Sequence, residues 1–174
     1  MNKDLLLSHI KTIPDFPVPG VLFRDVTTLY QDAECLREMT SAVAGIYKDC
    51  GITKVVGIES RGFILGASVA CALGAGFVPI RKPGKLPREI YSVTYMKEYG
   101  PDSIEIHRDA LEEGDVVLLH DDLLATGGTT EAALQLIRKF SPKAIYANFI
   151  IELAEEFPES RKRIDVPVRS LLQL

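Results

Sequence analysis

Two kinds of hydrophobic pattern alternate along the chain. The first is a short run of apolar residues, which is typical of a strand covered on both faces; it occurs at Lys54–Ile58, Phe77–Arg81, Val116–Leu119 and Ala144–Ile151. The second is a longer stretch with helical spacing or many small residues; it occurs at Lys3–Thr12, Ala33–Asp49, Phe63–Leu73 and Thr129–Phe140. This alternation predicts an α/β fold, with a mainly parallel central sheet flanked by helices.

Two segments depart from the alternation. The first, PDFPVPGVLFRD, carries three prolines and a glycine, which predict a stiff, extended N-terminal segment, called the hood below. The second, Lys82–Ser103, lacks a core pattern. A loop this long inside a compact domain is typical of a lid, a binding loop or a disordered segment, and the alternative is a solvated hairpin without a function. Tyr91, Val93 and Tyr95 alternate within it, so part of this mobile lid is predicted to pair as a ribbon.

Length and composition limit the class of protein. The chain has 174 residues, which suggests one domain. A net charge of -4 argues against nucleic-acid binding as the main role. Since no run of about 20 apolar residues occurs, a membrane span is excluded, and Asp4 within the first leucine run argues against a signal peptide. We therefore expect a cytoplasmic protein.

Several polar side chains are predicted to be structural. The cysteines Cys35, Cys50 and Cys71 are widely spaced and form no CxxC, so reduced core thiols are favoured over disulfides or a zinc site. On a strand, His120 points to the opposite face from Asp121. This orientation favours a packed or hydrogen-bonded histidine over a catalytic one.

The chemistry centres on residues 116–130, VVLLHDDLLATGGTT. Asp121 and Asp122 follow an apolar strand, at the edge where open α/β sheets bind ligands. The ATGGTT loop and the free N–H groups of the next helix predict an anion cradle. Because carboxylates repel phosphate, the pair must face hydroxyls or a metal, and a sugar phosphate satisfies both needs. The alternative is an ordinary strand-to-helix turn capped by threonine.

Other motifs narrow the choice. Neither GxxxxGK[ST] nor GxGxxG is present, which argues against a P-loop and a dinucleotide fingerprint. A second polar loop, Glu59–Gly62, follows Lys54–Ile58, and Arg61 offers a guanidinium fork for phosphate oxygens. In the hood, Phe23 beside Arg24 forms either a core plug, which local sequence favours, or one wall of a pocket for a flat ring.

These motifs together resemble the type I phosphoribosyltransferases. The stretch VVLLHDDLLATGGTT is similar to their phosphoribosyl-pyrophosphate signature. In addition, FPVPGVLFRD, ESRGF, RKPGKLP, EYG and SLLQ occur in the same order as in the adenine-using members. The resemblance covers almost the whole chain. Three departures, His120, Lys97 and the SLLQL ending, leave these motifs intact.

The resemblance implies a reaction. The family transfers the phosphoribosyl group from 5-phosphoribosyl 1-pyrophosphate to adenine in purine salvage, giving AMP and pyrophosphate. It uses magnesium, held mainly through substrate and water, and its members are homodimers. Transfer to a 6-oxopurine is one alternative. A regulatory protein that binds phosphoribosyl pyrophosphate or nucleic acid is another, but the negative charge and the complete lid chemistry favour an enzyme.

The resemblance also assigns roles by position. Asp121 and Asp122 would face the ribose hydroxyls, and Glu98 would handle a proton, with Tyr99 beside it. The adenine site would consist of Leu22, Phe23 and Arg24. Pyrophosphate would be held by Arg61, the backbone of Glu59 and Ser60, and the lid residues Lys85 and Arg88. The 5′-phosphate cradle would consist of Ala125, Thr126, Gly127, Gly128 and Thr129.

Overall fold

The computed structural model describes residues 1–16, 18–97 and 100–174. Within them the helices are α1 (Lys3–His9), α2 (Thr27–Gln31), α3 (Ala33–Tyr47), α4 (Gly62–Leu73) and α5 (Gly128–Arg138), with a 3₁₀ turn at Ser160–Arg163. The strands are β1 (Lys11–Pro14), β2 (Leu22–Asp25), β3 (Lys54–Ile58), β4 (Gly76–Ile80), β5 (Ile90–Lys97), β6 (Gly100–His107), β7 (Val116–Leu124), β8 (Ala144–Glu152) and β9 (Val168–Gln173).

A five-stranded parallel sheet in the order β4-β3-β7-β8-β9 forms the centre of the molecule. Val55 in β3 and Val117, Leu118 and Leu119 in β7 are fully buried. Apolar residues on both faces of a strand require cover on both faces, which the helices supply. The predicted α/β fold is thereby confirmed.

Two antiparallel ribbons complete the fold. Strands β1 and β2 form the hood, and β5 and β6 form a ribbon in which Tyr91 faces Ile106 and Tyr95 faces Asp102. The ribbon predicted within the lid is therefore present, and it extends through His107. It contacts α5, which brings it beside the loop that begins this helix.

Strand pairing moved two sequence-based boundaries. The first helix ends at His9 rather than Thr12, because residues 11–14 pair with β2. The strand predicted to end at Leu119 continues to Leu124, because its partner β8 is equally long and Leu124 pairs with Glu152. Both acids therefore lie on the strand itself.

The cysteines follow their prediction in part. All three are free thiols, and Cys35 is buried. Cys50 is half-buried and Cys71 is exposed on α4, so the prediction of a core position was wrong for Cys71. Among the described residues, no helix combines the length and apolar character needed to cross a bilayer.

His120 is a buried structural histidine, as predicted. Its side chain is fully buried, and Nδ1 lies 3.0 Å from the Asn148 side-chain oxygen. Since Asn148 uses its amide N–H₂ to donate to the Arg169 carbonyl, Nδ1 carries the proton and donates. Burial lowers the pKa of His120 from 6.5 to about 4.

This burial predicts a specific acid sensitivity. Unfolding lets His120 take up a proton below pH 6.5, so its contribution to stability is complete above pH 6.5 and is lost as the pH falls towards 4. The loss amounts to about 3 kcal/mol. A His120→Leu variant lacks this titrating group, so its free energy of unfolding should fall less than that of the parent between these two pH values. Asn148 also loses its hydrogen-bond partner in this variant. Urea unfolding at several pH values measures this slope, and identical slopes for variant and parent would contradict the assignment.

Candidate active site at the carboxyl edge of the sheet

The polar loops of β3 and β7 meet at one edge of the sheet. The two strands are parallel neighbours, with Val56 beside Leu119 and Gly57 beside His120. Their carboxyl ends therefore point the same way, and the loop Glu59–Gly62 lies next to the acid pair. This edge is the usual ligand site of an open α/β sheet.

The acid pair is bonded to the neighbouring loop. Asp122 is buried, and its carboxylate accepts a hydrogen bond from Arg61 Nε. Oδ1 of Asp121 accepts from the Asp122 backbone N–H at 2.9 Å. Burial and the adjacent negative charge of Asp122 raise the pKa of Asp121 well above its usual range. Two carboxyls held this closely favour a cation or a hydroxyl-rich ligand.

Gly62 allows the two loops to approach. A Cβ at this position would lie 2.8 Å from the His120 carbonyl oxygen and 3.1 Å from Oδ1 of Asp121. Because Gly62 is the first residue of α4, its lack of a side chain lets the helix start against β7 and places Arg61 beside Asp122.

A Gly62→Ala variant should therefore be destabilised by about 1–3 kcal/mol, the usual cost of forcing a side chain into a packed contact. Chemical denaturation measures this loss. Gly45→Ala is the matched control, since a Cβ at this helical position meets nothing within 4 Å. Replacing an exposed helical glycine by alanine favours the helix. Equal stability of the two variants would show that the close contact has no energetic role.

The predicted phosphate cradle has the expected local form. Gly127 has a left-handed backbone with φ of 83°, and a Cβ there would lie 3.0 Å from the Ser160 carbonyl oxygen. Helix α5 begins at Gly128, so its first N–H groups lack partners within the helix and face the loop. These groups and the hydroxyls of Thr126 and Thr129 suit a bound anion.

Two adjoining cavities lie over this edge. The polar cavity, of about 250 Å³, is lined by Ile58, Glu59, Ser60, Arg61, Lys82, Tyr95, Ile104, Asp121, Asp122 and Thr129. The larger cavity, of about 690 Å³, extends from the hood to the cradle. Its apolar walls and cradle residues include Val21, Leu22, Phe23, Leu123, Ala125, Thr126, Gly128, Leu153 and Phe157. Both cavities share Tyr95 and Thr129, so they form one continuous site.

The hood residues lie in the wall of the larger cavity. Phe23 is half-buried and contacts Phe16, with ring centroids 5.1 Å apart, and the Arg61 guanidinium carbon lies 5.9 Å from its ring centroid. Arg24 donates to the Thr12 hydroxyl at 2.5 Å and lies 3.8 Å from a Glu156 carboxylate oxygen. Phe23 therefore forms a pocket wall, and the core-plug alternative was wrong.

Some predicted residues lie apart from the cavities. Lys85 is exposed, and Arg88 donates to Asp109 at 3.0 Å in a separate depression. The carboxylate of Glu59 accepts from Arg81, and this bond lowers its pKa. Glu98 and Tyr99 lie outside the described residues.

Several lining residues were not predicted from the sequence, among them two lid residues and one near the C-terminus. Lys82 and Tyr95 line the polar cavity, and Phe157 lines the apolar one. Lys82 was visible only as one of several lid cations, and Tyr95 only as part of an alternating pattern. Their positions depend on how the ribbon folds back onto α5, which local sequence does not encode.

The residues of the polar cavity are suited to magnesium. Magnesium prefers oxygen ligands and keeps several waters. Asp121 and Asp122 offer oxygens at the edge of a cavity wide enough for water. The raised pKa of Asp121 marks a site where added positive charge is favourable.

Comparison with known proteins identifies the family. A model of the phosphoribosyl transferase domain matches residues 25–172. An adenine phosphoribosyltransferase of Bacteroides thetaiotaomicron is 59% identical, over 100% of this chain and 99% of that protein. The crystal structure of adenine phosphoribosyltransferase from Rhodothermus marinus has a TM-score of 0.90 and 48% identity, over 98% of this chain and 97% of that one. The enzyme from Giardia lamblia, complexed with 9-deazaadenine, has a TM-score of 0.94 and 42% identity, over 100% and 98%. The chain therefore belongs to the phosphoribosyltransferase family.

Proposed function

We propose that this protein transfers the phosphoribosyl group of 5-phosphoribosyl 1-pyrophosphate to adenine, forming AMP and pyrophosphate in purine salvage. The observation that carries the proposal is the continuous pair of cavities at the carboxyl edge of the sheet. An apolar cavity walled by Phe23 adjoins a polar one walled by Arg61, and the acid pair and the cradle lie beside them. This order matches base, sugar phosphate and pyrophosphate.

The ribose 5-phosphate is assigned to the β7 loop. Residues 125–129 hold the phosphate through backbone N–H groups and threonine hydroxyls. The carboxylates of Asp121 and Asp122 accept hydrogen bonds from the ribose hydroxyls. These contacts fix the sugar, so its anomeric carbon stays aligned with the arriving base.

Adenine is assigned to the apolar cavity. Leu22 and Phe23 offer apolar surface to the flat ring, and the backbone of Arg24 offers polar groups at its edge. The relative with 9-deazaadenine bound supports this class of ligand. Because a 6-amino group donates hydrogen bonds and a 6-oxo group accepts them, the same backbone groups discriminate between the two classes of purine.

Pyrophosphate is assigned to the polar cavity. Arg61, the backbone of Glu59 and Ser60, and the Lys82 ammonium surround this space. Arg61 is bonded to Asp122, so substrate entry must exchange this partner for a phosphate oxygen. Lys85 and Arg88 approach from the lid, and Arg88 must leave Asp109 to do so.

The chemistry follows from these positions. The bond from the anomeric carbon to pyrophosphate breaks, the bond from that carbon to the purine nitrogen forms, and the purine loses one proton. Positive charge develops on the ribose and negative charge on the leaving group, so the acids and Arg61 stabilise opposite ends of the transition state. Asp121 and Asp122 would hold magnesium mainly through substrate and water, and the ion would supply positive charge beside the pyrophosphate. Glu98 receives the purine proton, with Tyr99 beside it.

Initial rates with a panel of bases test the proposal. With phosphoribosyl pyrophosphate and magnesium present, adenine should give AMP at a rate far above those of hypoxanthine, guanine and xanthine. Preferred turnover of a 6-oxopurine would instead place the protein among the transferases for those bases. Absence of turnover with every base would contradict an enzymatic role.

Two further properties are proposed from the family. We expect a homodimer, for which light scattering should report about twice the chain mass of 19.2 kDa. A cytoplasmic location fits three free thiols, since reducing compartments keep cysteines unpaired.

A further inference from the structure

A chain of hydrogen bonds links the two cavities. Oδ2 of Asp102 accepts from the Lys82 ammonium, and it lies 3.2 Å from the Tyr95 hydroxyl oxygen. The same Tyr95 oxygen lies 3.1 Å from Oγ1 of Thr129. Tyr95 and Asp102 face each other across the β5–β6 ribbon, whereas Thr129 belongs to the cradle. The ribbon is thereby tied to the cradle through one tyrosine hydroxyl.

The number of protons sets the direction of each bond. A carboxylate only accepts, and a tyrosine hydroxyl has a single proton. Tyr95 therefore donates to Asp102, and Thr129 must donate its own proton to the Tyr95 oxygen.

A bound 5′-phosphate changes this arrangement. Its oxygens only accept, so a phosphate in the cradle needs the proton that Thr129 gives to Tyr95. Tyr95 keeps donating its own proton to Asp102 and does not donate it to Thr129, because a hydrogen bond to a carboxylate is roughly twice as strong as one between neutral groups.

We infer that Tyr95 is a positioning residue that ties the ribbon to the phosphate cradle and competes with the 5′-phosphate for the proton of Thr129. The inference rests on the proposed placement of the phosphate at residues 125–129. Binding of the phosphate therefore breaks the hydrogen bond between Tyr95 and Thr129.

Calorimetric titration of the full chain with ribose 5-phosphate tests the competition. Tyr95→Phe removes the competitor, so the Kd should fall roughly twofold to tenfold, the range expected for one neutral hydrogen bond. The KM for phosphoribosyl pyrophosphate should fall with it. A purely structural role predicts unchanged or weaker binding, because the lost hydroxyl would only loosen the ribbon.

Matched variants isolate the effect. Tyr91→Phe lies on the same face of β5, where the ring packs against Phe140 at 5.5 Å, and it should leave the Kd unchanged. Thr129→Val should weaken binding, and adding Tyr95→Phe to it should have no further effect. Asp102→Asn tests the competition in a second way, because the introduced amide N–H₂ can donate to the Tyr95 oxygen. The tyrosine proton is then free to be donated to Thr129. This variant should also bind ribose 5-phosphate more tightly.

The outcomes distinguish the competition for the Thr129 proton from the placement of the phosphate in the cradle. If Thr129→Val weakens binding but neither Tyr95→Phe nor Asp102→Asn tightens it, the competition is wrong and the phosphate placement stands. If Thr129→Val has no effect on the Kd, the phosphate lies elsewhere and both ideas fail. If Tyr95→Phe does not fold, the Asp102→Asn result alone decides.

Discussion

An Asp122→Asn variant is expected to lose about 10²–10³-fold in kcat/KM, with little change in its folding. The magnitude is that of removing one preorganised electrostatic contact from a transition state. Asp122 is the more deeply buried member of the acid pair and the partner of Arg61, so its charge faces both the ribose and the pyrophosphate loop. Asparagine keeps the shape and an accepting oxygen, but it supplies no charge to oppose the positive ribose. Steady-state rates of AMP formation measure the loss.

Folding is expected to change little for two opposing reasons. The variant loses the charge partner of Arg61, but it also removes the repulsion that raises the pKa of Asp121. The control is Asp165→Asn, the same substitution in an exposed ion pair with Arg138, which should leave turnover unchanged. A large drop in Tm for Asp122→Asn, with turnover reduced only in proportion to unfolded protein, would make Asp122 a structural residue.

A Glu98→Ala variant is expected to lower kcat by roughly 10²-fold or more, the lower part of the range for general acid–base catalysis. The affinity for phosphoribosyl pyrophosphate should change much less, because the proposed partner of Glu98 is the purine proton and not a phosphate. Rapid-quench kinetics together with direct substrate titration separate the two quantities.

Glu98→Gln sharpens this prediction. It keeps the length and polarity of the side chain but cannot accept the proton, so it should be as slow as Glu98→Ala. Glu89→Ala, at an exposed position beside the lid ribbon, is the control for charge loss and should retain normal kcat. Full activity of Glu98→Gln would remove the proton-handling role.

The sequence predicted the parts of the fold that depend on local pattern. The limits of β3 match the apolar run, and α3 begins at the predicted residue because Asp32 accepts from the Cys35 N–H and caps it. The location of the site at the carboxyl edge of the sheet was predictable, because the loops that follow neighbouring parallel strands meet there. The prediction that His120 is packed and hydrogen-bonded was also correct, because a histidine on a buried strand needs a polar partner.

The parts that remained hidden depend on partners distant in sequence. β7 runs to Leu124 because β8 continues to pair with it, and the hood starts before Thr12 because β2 lies opposite. The bond between Arg61 and Asp122 joins residues 61 positions apart, and the lid contributes Lys82 and Tyr95 only after its ribbon folds onto α5. Arg88 pairs with Asp109 because the turn after β6 brings the two together.

A structure of the complex with AMP and pyrophosphate tests the central claim most directly. The phosphate of AMP should accept hydrogen bonds from the backbone N–H groups of residues 125–129, and adenine should lie against Phe23. Arg61 should have left Asp122 for a pyrophosphate oxygen. AMP bound away from the carboxyl edge of the sheet, or with its phosphate outside the cradle, would contradict the account.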